Sequence, residues 1–269
     1  MQIGLISGAG ELPLIIAKTL KEKGYSLTII ALEGLADKKL SKYADIYERI
    51  NIGKVGKIIS FLKKNNIREL ILTGKVPKKI IYETERIKPD MKALKMLFSA
   101  KMRGDNELLQ MVENELLKDG IKIVELTEYC PELLTPQGVL TKKKPSKKDM
   151  EDILYGFNVA KKIGELDIGQ TVVVKDKSVI AVEALEGTDE TILRAGKYVE
   201  DTVVVKVSKP QQNLKLDPPA VGLQTIMNMK AAKAKVLALE AKKSIIIQKE
   251  EVIKKANEFD IIIIGVKEN

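Results

Sequence analysis

The 269-residue sequence predicts an α/β fold in two domains, roughly 1–135 and 148–269. Three observations predict it. Short apolar runs of strand length alternate with amphipathic helical stretches. Glycines punctuate the junctions between them. A stretch rich in proline, glycine and lysine, LTPQGVLTKKKPSKKD at 134–149, divides the chain near its middle.

The elements follow in order. QIGLIS, 2–7, reads as a buried strand broken by Gly8-Ala9-Gly10, and residues 12–24 as a helix stopped by Gly24. SLTIIAL, 26–32, is a second strand, followed by an amphipathic helix at 54–66 and a strand ELILTG at 69–74. Helices are expected at 91–102 and 105–120, and a strand IKIVEL at 121–126. This alternation means a largely parallel sheet. The 136–147 segment reads as a linker, with its lysines in solvent or facing anionic lipid. Beyond it comes a helix from Asp149, its expected cap, and strands at 170–175 and 178–185. A helix from about Asp189, a strand at 202–207, a proline-rich loop at 209–222 and a helix near 225–234 follow. The chain ends with short strands at 235–241 and 244–248, a helix at 250–259 and a strand at 260–266.

Composition narrows the function. At 45% hydrophobic and 31% charged, the chain can bury a core and is not a disordered polyelectrolyte. The net charge of +9 suits an anionic partner: nucleic acid, lipid or a phosphorylated small molecule. Only 4% of residues are aromatic, which argues against stacking on single strands, and no nucleic acid partner is expected. One cysteine, Cys130, rules out an internal disulfide and points to a reducing, cytoplasmic setting. Histidine is absent, which excludes a Ser-His triad and histidine-bearing metal sites. A metal here would be a hard cation, Mg²⁺ for instance, held by carboxylates, carbonyls or substrate phosphates.

Candidate residues sit at strand ends. Gly8 and Gly10 form a turn between strand and helix, and Glu33 ends the second strand at a spacing suited to a ribose hydroxyl. Pro13 stands where a dinucleotide fingerprint wants its third glycine, so an NAD(P)-linked oxidoreductase is the weaker reading. In the second half, Gln170 and Lys175 bound one strand, and Glu183 lies inside the next. Glu186 and Asp189 flank Gly187-Thr188, where Thr188 or Asp189 could simply cap a helix. Lys206 and Lys209 flank another strand end, Gln212 follows, and Asp217 precedes two prolines that hold its loop rigid.

Six stretches in order are similar to the UDP-2,3-diacylglucosamine pyrophosphatases of the LpxI type, which act in lipid A synthesis. They are IGLISGAGELP (3–13), RGDNELL (103–109), PELLTPQGVLT (131–141), DIGQTVVVKDKSVIAVEALEGTD (167–189), AGKYVEDTVVVKVSKPQQNLKLDPPAVGLQTI (195–226) and LALEAKKSIII (237–247). The resemblance implies a Rossmann-like N-terminal domain and a mixed α/β C-terminal domain. It implies metal-dependent hydrolysis of UDP-2,3-diacylglucosamine to UMP and 2,3-diacylglucosamine 1-phosphate (lipid X). A homodimer and peripheral contact with the cytoplasmic face of the inner membrane are further expectations, as is the bland alternative of a lipid- or nucleotide-binding protein without turnover. The family's key aspartate falls on Asp217, the first choice as metal ligand or for orienting water, with Glu186 and Asp189 second. Lys175, Lys206 and Lys209 are then expected on phosphate oxygens, with Gln170, Thr188, Gln212 and the Gly8–Gly10 turn adding substrate contacts. The chain departs from the family at Asn213, where Asp is usual, so Asn213 is not expected to be a ligand.

Overall fold

The structure, a computed structural model, describes residues 1–76, 88–99, 105–215 and 218–268. It divides into two units, Met1–Pro131 and Glu132–Asn269, each with its own sheet.

In the first unit the strands are β1 (Gln2–Ser7), β2 (Ser26–Leu32), β3 (Ile46–Ile50), β4 (Glu69–Thr73) and β5 (Lys122–Ile123). They pair in the order β3-β2-β1-β4-β5, all parallel, as the alternating pattern requires. The order reverses between β1 and β4, the switch point where open sheets of this kind place ligands. Helices α1 (Leu12–Glu22), α2 (Val55–Lys64), α3 (Met91–Ser99) and α4 (Asp105–Lys118) accompany the sheet. Two details differ from expectation. The sequence IYERI does not look like a strand, yet it forms β3 on the sheet's edge, where Glu48 and Arg49 tolerate half-burial. Of IKIVEL only Lys122–Ile123 pairs, because Glu125 and Glu128 form a capping box that opens the short helix α5 (Leu126–Tyr129).

The second unit holds β6 (Gly138–Val139), β7 (Thr171–Lys175), β8 (Ser178–Val182), β9 (Val203–Lys206), β11 (Val236–Glu240) and β13 (Ile262–Val266). Their order is β6-β13-β11-β9-β7-β8. Strands β9, β11 and β13 are parallel, whereas β7 runs against β9 and β6 against β13. A separate two-stranded ribbon pairs β10 (Ala220–Val221) with β12 (Ile245–Ile246). Side chains alternate across the sheet. Val172, Val174, Val203, Val205 and Ala238 pack under α6 (Lys147–Glu165) through Ile153, Phe157 and Ala160. Val173, Val204, Leu237 and Ile263 pack on α7 (Thr188–Ala195), α8 (Leu223–Ala231) and α9 (Lys249–Glu258).

The segment expected to be a linker is built into this unit. Leu134 bridges Ile245, Gly138–Val139 pair with Gly265 and Ile264, and a Cβ on Gly265 would lie 1.9 Å from the Pro136 carbonyl oxygen. A two-residue strand is too short to show periodicity, so its Pro-Gly-Lys composition reads as loop. The helix after it is capped by Ser146, not Asp149. The Ser146 hydroxyl accepts from the Asp149 amide, and the Asp149 carboxylate accepts from the Ser146 amide at 2.8 Å. Lys143 and Lys148 of the basic run pair with Asp260 and Asp176 at 2.8 and 2.6 Å.

Candidate active site

Three strands bring polar residues to one edge of the second sheet. Lys206 ends β9, Thr171 starts the antiparallel β7 directly beside it, and Glu183 follows the end of β8 and pairs its amide with the Thr171 carbonyl at 2.9 Å. By alternation all three lie on the face that carries α7, and all are buried: Glu183 7%, Thr171 0% and Lys206 6% exposed. Thr188, the first residue of α7, closes the row. Its hydroxyl donates to Glu183 Oε1 at 3.0 Å and accepts from Lys206 Nζ at 2.6 Å. The Thr171 hydroxyl lies 3.3 Å away. A hydroxyl has one proton and two lone pairs, so with its proton on Glu183 it accepts from Thr171 and Lys206 and is saturated. The second oxygen of Glu183 accepts from the Gln170 amide at 3.3 Å. The row thus sets a buried lysine beside the amino end of a helix, at the carboxyl ends of parallel strands, which is a setting for an anion.

Glycine makes the approach possible. A Cβ on Gly169 would sit 2.0 Å from the Glu183 carbonyl oxygen, and Gly187 takes φ +85° just before α7. Gly187 is therefore the residue at the helix cap, and neither Thr188 nor Asp189 fills that role. Asp189 instead accepts from the Thr225 hydroxyl at 3.0 Å. Glu186 accepts from Arg194 Nη2 at 2.6 Å, and the same nitrogen donates to the Val182 carbonyl at 2.8 Å. Its own amide, and next the Arg194 guanidinium, hold the Glu186 carboxyl below its ordinary range. Arg194, which nothing in the sequence singles out, locks the 183–187 turn.

On the other face of the same edge, Lys161 of α6 donates to both oxygens of Glu240, the last residue of β11, at 2.8 Å. Glu240 also takes the Ser208 amide at 2.8 Å and pairs with Lys243 at 2.8 Å. Burial pushes the Glu240 carboxyl up, but Lys161, Lys243 and the Ser208 amide outweigh it and hold the group below its ordinary value. Beyond Ser208, the Gln212 side-chain oxygen accepts from the Lys209 amide at 3.0 Å, and Lys209 Nζ pairs with Asp167 at 2.6 Å. Asn213 Oδ1 accepts from the Lys215 amide at 3.1 Å, a turn that an aspartate would form equally well. The loss of charge at that position leaves this turn intact.

The expected residues thus separate. Gln170, Thr188, Lys206, Lys209, Gln212, Glu186 and Asp189 belong to this edge of the sheet. Lys175 does not: β7 runs antiparallel, so its far end carries Lys175 about 13 Å along the strand from Thr171, where its ammonium donates to the Asp201 carbonyl at 3.0 Å. Asp217 lies outside the described residues. Among the described residues no three acids cluster as a cation site, and Glu186 and Asp189 are engaged with Arg194 and Thr225. These acids do not fit a resident Mg²⁺ by themselves. Gln170 Oε1 is buried with no partner among the described residues, an acceptor suited to a ligand N–H or O–H.

In the first unit, Gly8 serves packing. A Cβ there would meet the Lys75 carbonyl oxygen at 2.6 Å, because Ala9 and Lys75 exchange backbone bonds of 2.9 and 2.8 Å. Gly10 takes φ +99°, and a Cβ there would meet nothing within 4 Å among the described residues. Beside this turn, Ser7 and Thr73 face each other across β1 and β4 at the switch point, their hydroxyls buried and without partners among the described residues.

The chain is similar to known proteins along nearly its whole length. Residues 2–133 match the LpxI N-terminal domain and 136–264 the LpxI C-terminal domain. The UDP-2,3-diacylglucosamine pyrophosphatase LpxI of Caulobacter vibrioides is 33% identical over 279 aligned positions, covering 98% of this chain and 97% of that protein. Solved structures are far less similar. An N5-carboxyaminoimidazole synthetase from Staphylococcus aureus is 12% identical at TM-score 0.26, covering 78% of this chain and 68% of its own. A UDP-glucose-4-epimerase from Stenotrophomonas maltophila is 8% identical at TM-score 0.34, covering 100% and 87%. Likeness at that level carries no weight. The two matched domains and the near-full-length identity do: the chain belongs to the LpxI family.

Proposed function

We propose that this protein hydrolyses the pyrophosphate of UDP-2,3-diacylglucosamine to UMP and 2,3-diacylglucosamine 1-phosphate. The observation that carries the reading is the buried row Glu183–Thr171–Lys206 under Thr188, in a chain of the LpxI family. Lys206 supplies a cation to a phosphate oxygen, and Thr188, itself held by Glu183, holds its amine in place. Lys209 adds a second cation at the same edge, and Gln170 Oε1 takes a substrate N–H or O–H. Thr188, with its hydroxyl saturated, acts on substrate through Lys206.

A hard divalent cation belongs to the proposal through Asp217 and the substrate's own phosphates, where it would screen charge on the pyrophosphate. Glu186 and Asp189 serve the turn and the helix start. Peripheral contact with the membrane that holds the lipid is part of the same reading.

The deciding experiment is UMP release from UDP-2,3-diacylglucosamine, with and without EDTA and excess Mg²⁺. Turnover that EDTA stops and Mg²⁺ restores is the expected result. Tight binding of the lipid without UMP would leave a binding protein instead. A folded Asp217→Ala variant should lose turnover by orders of magnitude.

A further inference from the structure

Lys161 and Glu240 form a buried ion pair on the face of the sheet away from Lys206. Glu240 is 2% exposed and Lys161 8%. Such pairs add little stability over apolar residues of the same volume, because both ions lose their water. What this pair does is specific. Glu240 takes the Ser208 amide at 2.8 Å, and Lys161 donates to the Ser208 carbonyl at 3.1 Å. One residue thus has both backbone polar groups held by opposite charges. Ser208 stands two residues beyond β9 and starts the loop that carries Lys209 and Gln212 and leads on to Asp217. The last turns of α6 brace the same loop. A Cβ on Gly164 would be 3.3 Å from Lys209 Cα and Pro210 Cδ, and the Gly164 carbonyl accepts from Gln211 Nε2 at 2.8 Å.

We infer that Lys161 and Glu240 are positioning residues for the hydrolytic site: by clamping both polar groups of Ser208 they set the direction in which residues 209–215 leave the sheet edge. The inference rests on the hydrolase reading, but its physical half, the order of the loop, is measurable without substrate.

The test uses the full chain with the double substitution Lys161→Met and Glu240→Leu, which removes both charges while keeping volume, and with Glu240→Gln alone. Amide hydrogen exchange is read at Ser208–Lys215 and, as reference, at Val203–Lys206. Exchange in the loop should rise by about tenfold or more with the β9 amides unchanged. In the hydrolysis assay kcat should fall by about 30-fold or more while KM stays within about threefold, since a misplacement of about 1 Å costs that order of rate. A folded double variant with parental kcat, or loop exchange that does not change, overturns the clamp. If the double variant does not fold, Glu240→Gln decides the question by the same exchange measurement. A parent that releases no UMP sinks the hydrolase reading, and the exchange result then stands alone for or against the clamp.

Discussion

A single hydroxyl connects the elements of the proposed site. Thr188 accepts from Lys206 and Thr171 and donates its proton to Glu183, so removing the oxygen takes one hydrogen bond each from a buried lysine and a buried carboxylate. Thr188→Val should lower kcat/KM of UMP release by about tenfold, while Thr188→Ser, which keeps the hydroxyl, should recover most of it. Lys206→Met should cost about 10- to 100-fold in kcat/KM, the range for losing a charge-assisted bond to phosphate. Steady-state kinetics on UDP-2,3-diacylglucosamine check both. Glycines make a second contrast. Gly8→Ala drives a Cβ into the Lys75 carbonyl and should destabilise the first unit by about 1–3 kcal/mol, as overpacking does. Gly10→Ala meets no atom of the described residues within 4 Å and should lose only about 1 kcal/mol to its positive φ. Urea unfolding midpoints distinguish the two.

Helix α6 shows what one element contributes. Its start is fixed by the Ser146–Asp149 box, and Asp149 also pairs with Lys235 at 2.8 Å. Ser146→Ala should cost about 1 kcal/mol of stability by thermal melting, and Asp149→Ala more, because it also leaves Lys235 without that partner. Much at this scale was legible in the sequence: the strand-helix alternation predicted β1, β2, β4, β9 and β13 closely. What escaped did so for physical reasons. Strand β3 is an edge, so Glu48 and Arg49 hide its alternation. Strand β6 is two residues long and is made by pairing with β13, over a hundred residues away. Lys175 groups with Gln170 in the sequence because a strand's two ends are alike there, and only the direction of β7 against β9 tells which end lies beside Lys206. Glu183 was legible as a costly buried acid. Lys161, Glu240 and Arg194 were not, since their meaning lies in partners distant along the chain.

Across the whole molecule, several carboxyls, one exposed and others buried, are held below their ordinary values. The Asp45 carboxyl is lowered by the Leu27 amide and then by Lys21; burial pushes Asp149 up, but Lys235 and Ser146 outweigh it. Glu240 follows the same pattern. A carboxyl whose folded value is depressed stabilises the protein fully above its unfolded value, and that contribution is lost as pH falls through the folded value. Thermal midpoints should therefore stay level from pH 8 to about 5 and drop below it, and Glu240→Gln should flatten the drop while lowering the plateau. Each unit also has its own sheet and core, so residues 132–269 expressed alone should give a cooperative melt and dispersed amide resonances. A chain that stays unfolded would mean that the second core depends on the first unit.

The reversed course of β7 has a practical corollary. The hairpin joining β7 to β8 turns through Asp176 and Lys177, both left-handed at φ 52° and 56°, on the rim opposite Lys206. Asn-Gly prefers such a turn, so replacing this pair should tighten it without touching the proposed chemistry. The same rim offers an attachment point for a fluorophore or a surface tether that leaves the edge carrying Lys206 untouched.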